Sequence, residues 1–354
     1  MGHDRGQEQR SSTEEDHDGQ SCAHSAAGAM NGVMAVLIAL AAFLAVGGAQ
    51  AQPAWKPEKP VELIAMNAPG GGSDRTLRIM AKILQEGRHV GVALNVVNKP
   101  GGGGSVAYAY LNQHPGDAHY IQLASKSLLT NHIAGHGPSY TEFTPIAFLF
   151  GEYISVTVKP DSPLRTGRDL VERLKKDPGA LSFGIATSLG NPNHQAVATA
   201  LKDAGVDIKK LRTVIFPSGG AASTAMLGGH VDVVPITAAF AASMARQGQV
   251  RLLAVTAPAR LPDALADVPT WREQGYDVVV SNWRSMVGPR GMTEAQVTYW
   301  EQTLKRFTES EEWKKELETN FWRSEYLRSA ETRKYLEQDS AQVRAFLVAL
   351  GLAK

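Results

Sequence analysis

Residues 61–78 of the chain read VELIAMNAPGGGSDRTLR. The stretch combines an apolar run typical of a strand, a turn rich in proline and glycine, and the start of an amphipathic helix capped by Ser73 or Asp74. Three consecutive glycines let the backbone approach a ligand closely, because no Cβ atom stands in the way. The unpaired N–H groups of a helix's first turn attract negative charge. The stretch therefore predicts either an anion-binding turn or a tight strand-to-helix turn without a ligand.

The same order of apolar strand, small or polar turn and helix recurs through the middle of the chain. Alternation at this spacing indicates parallel sheets in an α/β protein, and the turns of such sheets lie at the carboxyl ends of the strands, where ligands bind. Two such sheets facing each other would bring several helix N-termini to one cleft. Residues 145–150 and 153–159 are predicted as two successive strands, and only helices are predicted beyond residue 293.

Length and charge limit the class of protein. The 354 residues are enough for about two domains, and the net charge of +1 is too small and too diffuse for a nucleic-acid surface. The single cysteine, Cys22, rules out an internal disulfide. The apolar run at 33–46, followed by a small-residue ending, predicts a secretory signal peptide cleaved after Ala51, and therefore a periplasmic protein. The acidic flank before this run suggests that translation starts at Met30 or Met34.

Several catalytic and cofactor motifs are absent from the sequence. Neither glycine run continues into a phosphate-binding loop, and the dinucleotide fingerprint is not met. A nucleophile elbow with its partners is not found, and the mature chain would have no cysteine for thiol chemistry. His132 and His136 have the spacing of metal ligands on a helix, but no third ligand is suggested nearby, so a surface or capping role is the alternative. No cofactor, metal or catalytic residue is predicted.

Three charged or titratable residues have both a functional and a structural interpretation. Arg284 could pair with a ligand carboxylate through both arms of its guanidinium, or form a structural ion pair where the chain crosses between domains. Lys126 follows a predicted strand and could be a cation in the cleft or simply a solvated side chain. His194 could donate a hydrogen bond to an anion, or cap and pack its helix.

Taken in order, these turns resemble those of the extracytoplasmic substrate-binding receptors of tripartite tricarboxylate transporters, the Bug family. The resemblance covers residues 55–352, and its motifs hold their order and spacing. The Asn282-Trp283-Arg284 segment is similar to the tricarboxylate-type branch. The other matching segments are NAPGGGSD (67–74), NKPGGGG (98–104), DPGALSFG (177–184), FPSGG (216–220), LGGHVD (227–232), LLAVT (252–256) and DVPT (267–270).

The resemblance implies a type II periplasmic binding protein fold, in which two α/β lobes joined by crossover strands close on a carboxylate. It assigns residues 52–152 to lobe 1, 153–283 to lobe 2, and 284–354 to the second part of lobe 1 with the C-terminal helices, after an extension and signal peptide at 1–51. It places hinges at residues 150–153 and 282–285. The ligand would be held through backbone N–H groups and waters at residues 68–74 and 187–194.

The resemblance also gives the expected ligand and partners. The ligand would be a tricarboxylate-like or dicarboxylate-like organic acid, and the protein, a monomer, would deliver it to the membrane permease subunits. A receptor for a sensor kinase and a carboxylate-processing enzyme are the alternatives. Two departures from the family pattern bear on the ligand: Lys126, with its serine neighbours, suggests an additional anionic group, and Ser73 suggests a roomier pocket. The predicted ligand-binding residues are Ala68, Gly70, Gly71, Gly72, Ser73, Asp74, Ser125, Lys126, Thr187, Ser188, Asn191, His194, Ser218, Gly219, Thr237 and Arg284.

Overall fold

The structure, a computed structural model, describes residues 55–354, which form one compact unit. The predicted signal peptide, its cleavage site and Cys22 lie outside the described residues. Within 55–354, ten strands form one mixed sheet. The strands are β1 (Val61–Ala65), β2 (Leu94–Asn98), β3 (Tyr120–Ser125), β4 (Phe143–Val158), β5 (Ser182–Ala186), β6 (Arg212–Phe216), β7 (Val233–Thr237), β8 (Arg251–Val255), β9 (Ser281–Pro289) and β10 (Trp322–Arg328).

Helices follow most of the strands, as the alternating pattern predicts. Among residues 55–354, no helix combines the length and the apolar character that a membrane crossing needs. The α-helices are α1 (Gly72–Glu86), α2 (Ser105–Leu111), α3 (Ser127–Ile133), α4 (Gly167–Lys176), α5 (Pro192–Asp203), α6 (Gly219–Leu227), α7 (Ala238–Arg246), α8 (Glu294–Glu309), α9 (Glu311–Thr319) and α10 (Ser329–Leu350).

The sheet has two halves that share the long strand β4. The first half-sheet has the order β2-β1-β3-β9-β4, and β10 also pairs with β4. The second half-sheet has the order β4-β7-β5-β6, and β8 also pairs with β4. Strands β1, β2 and β3 are parallel, as are β5, β6 and β7, whereas β9 is antiparallel to both β3 and β4. Each half is therefore a parallel α/β unit completed by strands that cross between the two.

Apolar side chains fill both faces of each half-sheet. In the first half-sheet, α1, α8 and α9 contribute Leu77, Trp300 and Trp313 to the core on one face. Helices α2, α3 and α10 cover the other face, with Leu128 and Leu336 among the buried residues. In the second half-sheet, α4 and α5 pack on one face and α6 and α7 on the other. Burial on both faces explains why the central strands β4, β5 and β7 are nearly continuous runs without charged residues, apart from Glu152.

Strand β4 differs from the prediction of two separate strands. It runs without a break through Gly151 and Glu152, because β9 and β10 pair with it on both sides of these residues. Gly151 allows close packing there, since a Cβ atom would require the Ser281 side chain on β9 to change rotamer. The strand thus carries the chain from one half-sheet to the other as a paired ribbon.

Strand β10 was missed by the sequence prediction, which placed only helices beyond residue 293. The charged residues of β10 do not follow the usual apolar pattern of a strand. In the structure, Trp322 of β10 stacks on Phe150, with 4.3 Å between the ring centroids. The strand pairs with β4 in antiparallel fashion from Glu152 to Ala147. The C-terminal region is therefore part of the first half-sheet and does not consist of helices alone.

Thr256, directly after β8, links the two crossing segments. Its Oγ1 accepts a hydrogen bond from the Ile154 N–H at 3.0 Å and donates one to the Val280 carbonyl at 2.6 Å. Its backbone N–H donates to the Ile154 carbonyl, and its carbonyl accepts from the Val280 N–H. Since Thr256 is fully buried, water cannot replace these partners.

We expect Thr256→Val to destabilise the fold by about 1–3 kcal/mol, because the nearly isosteric side chain leaves a buried N–H and a buried carbonyl without a partner. Urea unfolding followed by circular dichroism measures the change. Thr308→Val is the matched control, since the Thr308 hydroxyl bonds only to Lys305 of its own helix near the surface, and its effect should stay within about 0.5 kcal/mol. Equal losses in the two variants would contradict the assigned role of Thr256.

Candidate functional site

The strand directions bring both sets of predicted turns to one part of β4. Arg284 of β9 pairs with Ser125, the last residue of β3, and with Phe150 of β4, so the carboxyl ends of β1 and β3 lie level with Phe150. Thr237, the last residue of β7, pairs with Ile154. Strands β5 and β6 run parallel to β7 and end at the same edge. The carboxyl edges of the two half-sheets therefore meet along residues 150–154.

The first glycine turn is partly satisfied by its own residues. The Gly70 N–H donates to Asp74 Oδ2 at 2.8 Å, and the Gly71 N–H donates to the Ala68 carbonyl at 2.9 Å. The Ser73 N–H and hydroxyl both donate to Asn67 Oδ1. Within residues 55–354, the N–H groups of Gly70, Gly71 and Ser73 thus donate only to other residues of the turn. The N–H groups of Gly72 and Asp74 have no acceptor there. These two amides are the donors that the turn leaves for a ligand.

Asp74 shapes the turn through its side chain. Its carboxylate is buried and accepts hydrogen bonds from Gly70, from Arg78 Nε at 3.0 Å and from Asn98 Nδ2 at 2.9 Å. Burial raises the pKa of the carboxyl, but the hydrogen bonds from Arg78, Gly70 and Asn98 outweigh that effect and hold the pKa below its usual value. A permanently charged carboxylate repels an anion, so only the main chain of Asp74 suits a carboxylate ligand.

Arg284 lies beneath the N-terminus of α1. Its Nη2 is 2.7 Å from Glu152 Oε2, and both side chains are more than nine-tenths buried. A Cβ atom placed on Gly72 would lie 3.7 Å from Nη2, and Gly72 itself is exposed. Asn282 Nδ2 also donates to Glu152 Oε2, at 3.3 Å. Arg284 thus forms the structural ion pair that the sequence left open, at the position where a ligand would meet α1.

The hydrogen-bonding capacity of this guanidinium is not exhausted. Arg284 Nε is buried and has no hydrogen-bond partner within residues 55–354. The positive end of a helix macrodipole destabilises a neighbouring cation and favours an anion. Glu152 supplies one negative charge, and the Nε–H remains as a donor without an acceptor among the described residues.

Lys126 is also held by an internal partner. Its Nζ lies 2.9 Å from Asp339 Oδ1 of α10, and Trp283 Nε1 donates to the other oxygen, Oδ2, at 2.7 Å. All three residues are buried. Ser125 and Ser127, on either side of Lys126, share a hydrogen bond of 2.9 Å. Lys126 is therefore not solvated, and its charge is balanced by a residue that the sequence did not single out.

The loop after β5 has a fixed conformation. Thr187 adopts a left-handed backbone conformation with φ of 65°, and its N–H donates to the Phe216 carbonyl of β6 at 2.7 Å. Asn191 caps α5 by accepting from the His194 N–H at 3.0 Å, and its Nδ2 donates to Thr187 Oγ1 at 3.1 Å. The Ser188 hydroxyl is buried without a partner among the described residues.

His194 is buried behind this loop as a neutral imidazole. Its Nδ1 accepts a hydrogen bond from the Gly190 N–H at 3.0 Å, which places the ring proton on Nε2. Burial lowers the pKa of His194 to about 4. Nε2 is buried and unpartnered within residues 55–354. The geometry leaves His194 one neutral N–H donor and no positive charge at neutral pH.

The remaining predicted residues lie at the helix N-termini of the second half-sheet. Ser218 caps α6 by accepting from the Ala221 N–H at 3.1 Å and is exposed. Gly219 packs against Ile236, the residue before Thr237. Two surface cavities, of about 520 and 750 Å³, lie elsewhere, and none of the sixteen predicted residues lines either of them.

These features define a two-part α/β binding protein, in which the carboxyl edges of two parallel sheets meet at shared crossing strands. A model of the tripartite tricarboxylate transporter family receptor matches residues 78–352. The chain belongs to this family of solute-binding receptors, and the family resemblance in the sequence is confirmed. Its members are binding proteins and not enzymes.

Individual relatives agree with this assignment. A protein of Cupriavidus necator, encoded in the gbd 5' region, is 26% identical over 328 residues, which cover 91% of this chain and 96% of the relative. The periplasmic binding protein BugD has a similar structure, with a TM-score of 0.74, 23% identity and coverage of 84% and 99%. A Rhodopseudomonas palustris protein solved with adipate gives a TM-score of 0.76, 22% identity and the same coverage. The predicted type II periplasmic binding protein fold is confirmed.

The neutral state of His194 predicts a pH dependence of stability. The folded protein has a lowered pKa of about 4 at this site, against 6.5 for a free imidazole. The contribution of the neutral ring is therefore fully present above pH 6.5 and is lost as the pH falls from 6.5 towards 4. We expect wild type to lose more stability over this range than His194→Gln, as measured by urea unfolding at several pH values.

His136→Gln is the matched control for this measurement. The His136 side chain is exposed, so its replacement should leave the pH dependence of wild type unchanged. Parallel stability curves for wild type and His194→Gln between pH 6.5 and 4 would contradict the assigned protonation state.

Proposed function

We propose that the protein captures a small organic acid between its two half-sheets and delivers it to the membrane permease of a tripartite transporter. The observation that carries this proposal is the position of Arg284, which lies beside Gly72 at the N-terminus of α1 with a buried, unpartnered Nε. A ligand carboxylate at this place would accept hydrogen bonds from the Gly72 and Asp74 amides and from the guanidinium. Family membership and relatives solved with adipate and with malate support a carboxylate as the ligand.

The expected energies suit reversible capture. A carboxylate at a helix N-terminus gains about 0.3–1 kcal/mol from the macrodipole, and up to about 2 kcal/mol in a partly buried site. Each hydrogen bond that involves a charged group contributes about 1.5–3 kcal/mol. Two main-chain donors and one guanidinium can therefore hold a small acid tightly enough for transport, without a reactive side chain.

The second half-sheet would complete the site on closure. Asn191 fixes the loop at Thr187, the His194 Nε2–H is an unused neutral donor, and Ser218 and Thr237 lie at exposed or partly exposed strand ends. We place the lobes at 52–152 with 284–354 and at 153–283, as the resemblance implies. Since β4 and β9 are paired where they cross, closure would be a twist of the paired strands and not a bend in a free linker.

Export to the periplasm is part of the proposal. It is supported by the signal-peptide pattern before residue 52 and by likeness to the periplasmic binding protein BugD. In that compartment the receptor would meet solutes that have crossed the outer membrane and would act as a monomer on the permease.

A thermal-shift screen of organic acids tests the ligand class, and Gly72→Ala tests the site. At 100 times its dissociation constant, a ligand should stabilise the fold by about 2.7 kcal/mol. In Gly72→Ala the added methyl group makes only an ordinary contact with Nη2, so stability should hold or rise by up to about 1 kcal/mol. The methyl group would fill the space between α1 and Arg284, and acid binding should weaken at least tenfold in calorimetry.

Gly91→Ala is the control for that variant. A Cβ atom on Gly91 meets open space, so binding should be unchanged. Undiminished acid binding by a folded Gly72→Ala variant would refute the site. A screen in which sugars or cations shift the melting curve and no organic acid does would refute the ligand class.

A further inference from the structure

The two buried cations at the carboxyl edge of the first half-sheet are each paired with a buried acid of the chain itself. Arg284 is bound to Glu152 at 2.7 Å, and Lys126 to Asp339 at 2.9 Å. The exposed fraction of each of these four side chains is 10% or less. Solvent therefore screens neither pair effectively, and each acid cancels most of the charge of its cation.

The two ion pairs lie next to each other across β9. Trp283, which donates to Asp339, is the neighbour of Arg284 in the strand, and Ser125, which pairs with Arg284, is the neighbour of Lys126. Alternate residues of a strand point to opposite faces of the sheet. The pairs thus flank the same strand ends from both faces, at the place where the ligand carboxylate is proposed to bind.

Arg78, an exposed cation close to the turn, is also engaged. Arg78, on the second turn of α1, lies 2.9 Å from the buried carboxylate of Asp74. His194 on the opposite loop is a neutral donor, because its Nδ1 already accepts from Gly190. The predicted residues of the second half-sheet otherwise offer hydroxyl groups and main-chain amides. The buried cations of the site region thus have paired charges, and the unpartnered Arg284 Nε with the α1 amides would accommodate one anion.

A second ligand carboxylate would bind here with an unfavourable free energy in either of two ways. It could remain without a cation, or it could displace Glu152 or Asp339 from its partner. Displacement leaves a buried carboxylate uncompensated, which is strongly destabilising. A carboxylate that is desolvated without a partner is disfavoured for the same reason.

We propose that the receptor selects acids with a single carboxylate and an uncharged body, and that Glu152 and Asp339 are the specificity-determining residues that exclude a second charge. This inference rests on the proposed function and narrows it, since the sequence suggested dicarboxylates or tricarboxylates. The lysine that suggested an additional anionic group on the ligand has its anion within the protein.

Calorimetry with matched acids tests the proposal on the whole protein. The probe pairs are butanoate with succinate, hexanoate with adipate, and benzoate with terephthalate, which differ within each pair by one carboxylate. For at least one pair, we expect wild type to bind the monocarboxylate at least tenfold more tightly. Tighter or equal binding of the dicarboxylate in every pair that binds would overturn the inference and leave the proposed function standing. Absence of binding by all six acids, together with no melting shift for any organic acid in the thermal-shift screen, would overturn both.

Two variants assign the effect to the named acids. Asp339→Asn frees the charge of Lys126, and Glu152→Gln frees that of Arg284, so each should shift the preference towards the dicarboxylate by at least tenfold. Asp117→Asn is the control, because the Asp117–Lys59 pair lies at the amino end of β3, and its preference should match wild type.

Circular dichroism shows whether each variant is folded. An unchanged preference in the folded variants would overturn the role of the two acids, and should either variant fail to fold, the wild-type comparison still decides the ligand charge.

Discussion

The ion pair between Arg284 and Glu152 occupies the point where the two half-sheets share their strands. Strand β9 carries the arginine and β4 the glutamate, so this contact of 2.7 Å joins two paired strands at the point where the half-sheets meet. The same guanidinium lies under the first residue of α1, where the helix macrodipole favours negative charge. Without Glu152, a buried cation would face the positive end of a helix in a region of low dielectric constant. The acid makes this arrangement tolerable, and the unpartnered Nε is the donor that the proposed ligand would use.

The same pairing is found for other cations at the edge of the first half-sheet. Asp74, Glu152 and Asp339 each hold a cation that would otherwise be available to solutes. In the proposed site, the ligand would depend on main-chain amides and on the unpartnered Arg284 Nε. The charged side chains would mainly hold the shape of the site. The glycine turn follows the same principle, since the side chains of Asp74 and Asn67 accept from the amides of Gly70 and Ser73, while those of Gly72 and Asp74 have no acceptor within residues 55–354.

Local patterns in the sequence were enough for the fold class and for the positions of the turns. Apolar runs followed by glycine or small polar residues identify strand ends, and the order of those turns identifies the family. The continuity of β4 could not be predicted, because Gly151 and Glu152 disfavour a strand locally and are held in one by pairing with residues more than 100 positions away. The partners Glu152 and Asp339 were missed for the same reason. A side chain's charge is evident in the sequence, but the residue that neutralises it is determined by tertiary structure.

Trp283 gives the molecule a property that follows from its contact with Asp339. Its indole is fully buried and is hydrogen-bonded to a carboxylate at 2.7 Å, whereas Trp271, Trp300 and Trp313 are packed in apolar clusters. Emission from an indole responds to a charged group in direct contact. Trp283 is therefore an intrinsic optical reporter of the charge on Asp339 and of its pairing with Lys126, without an attached dye.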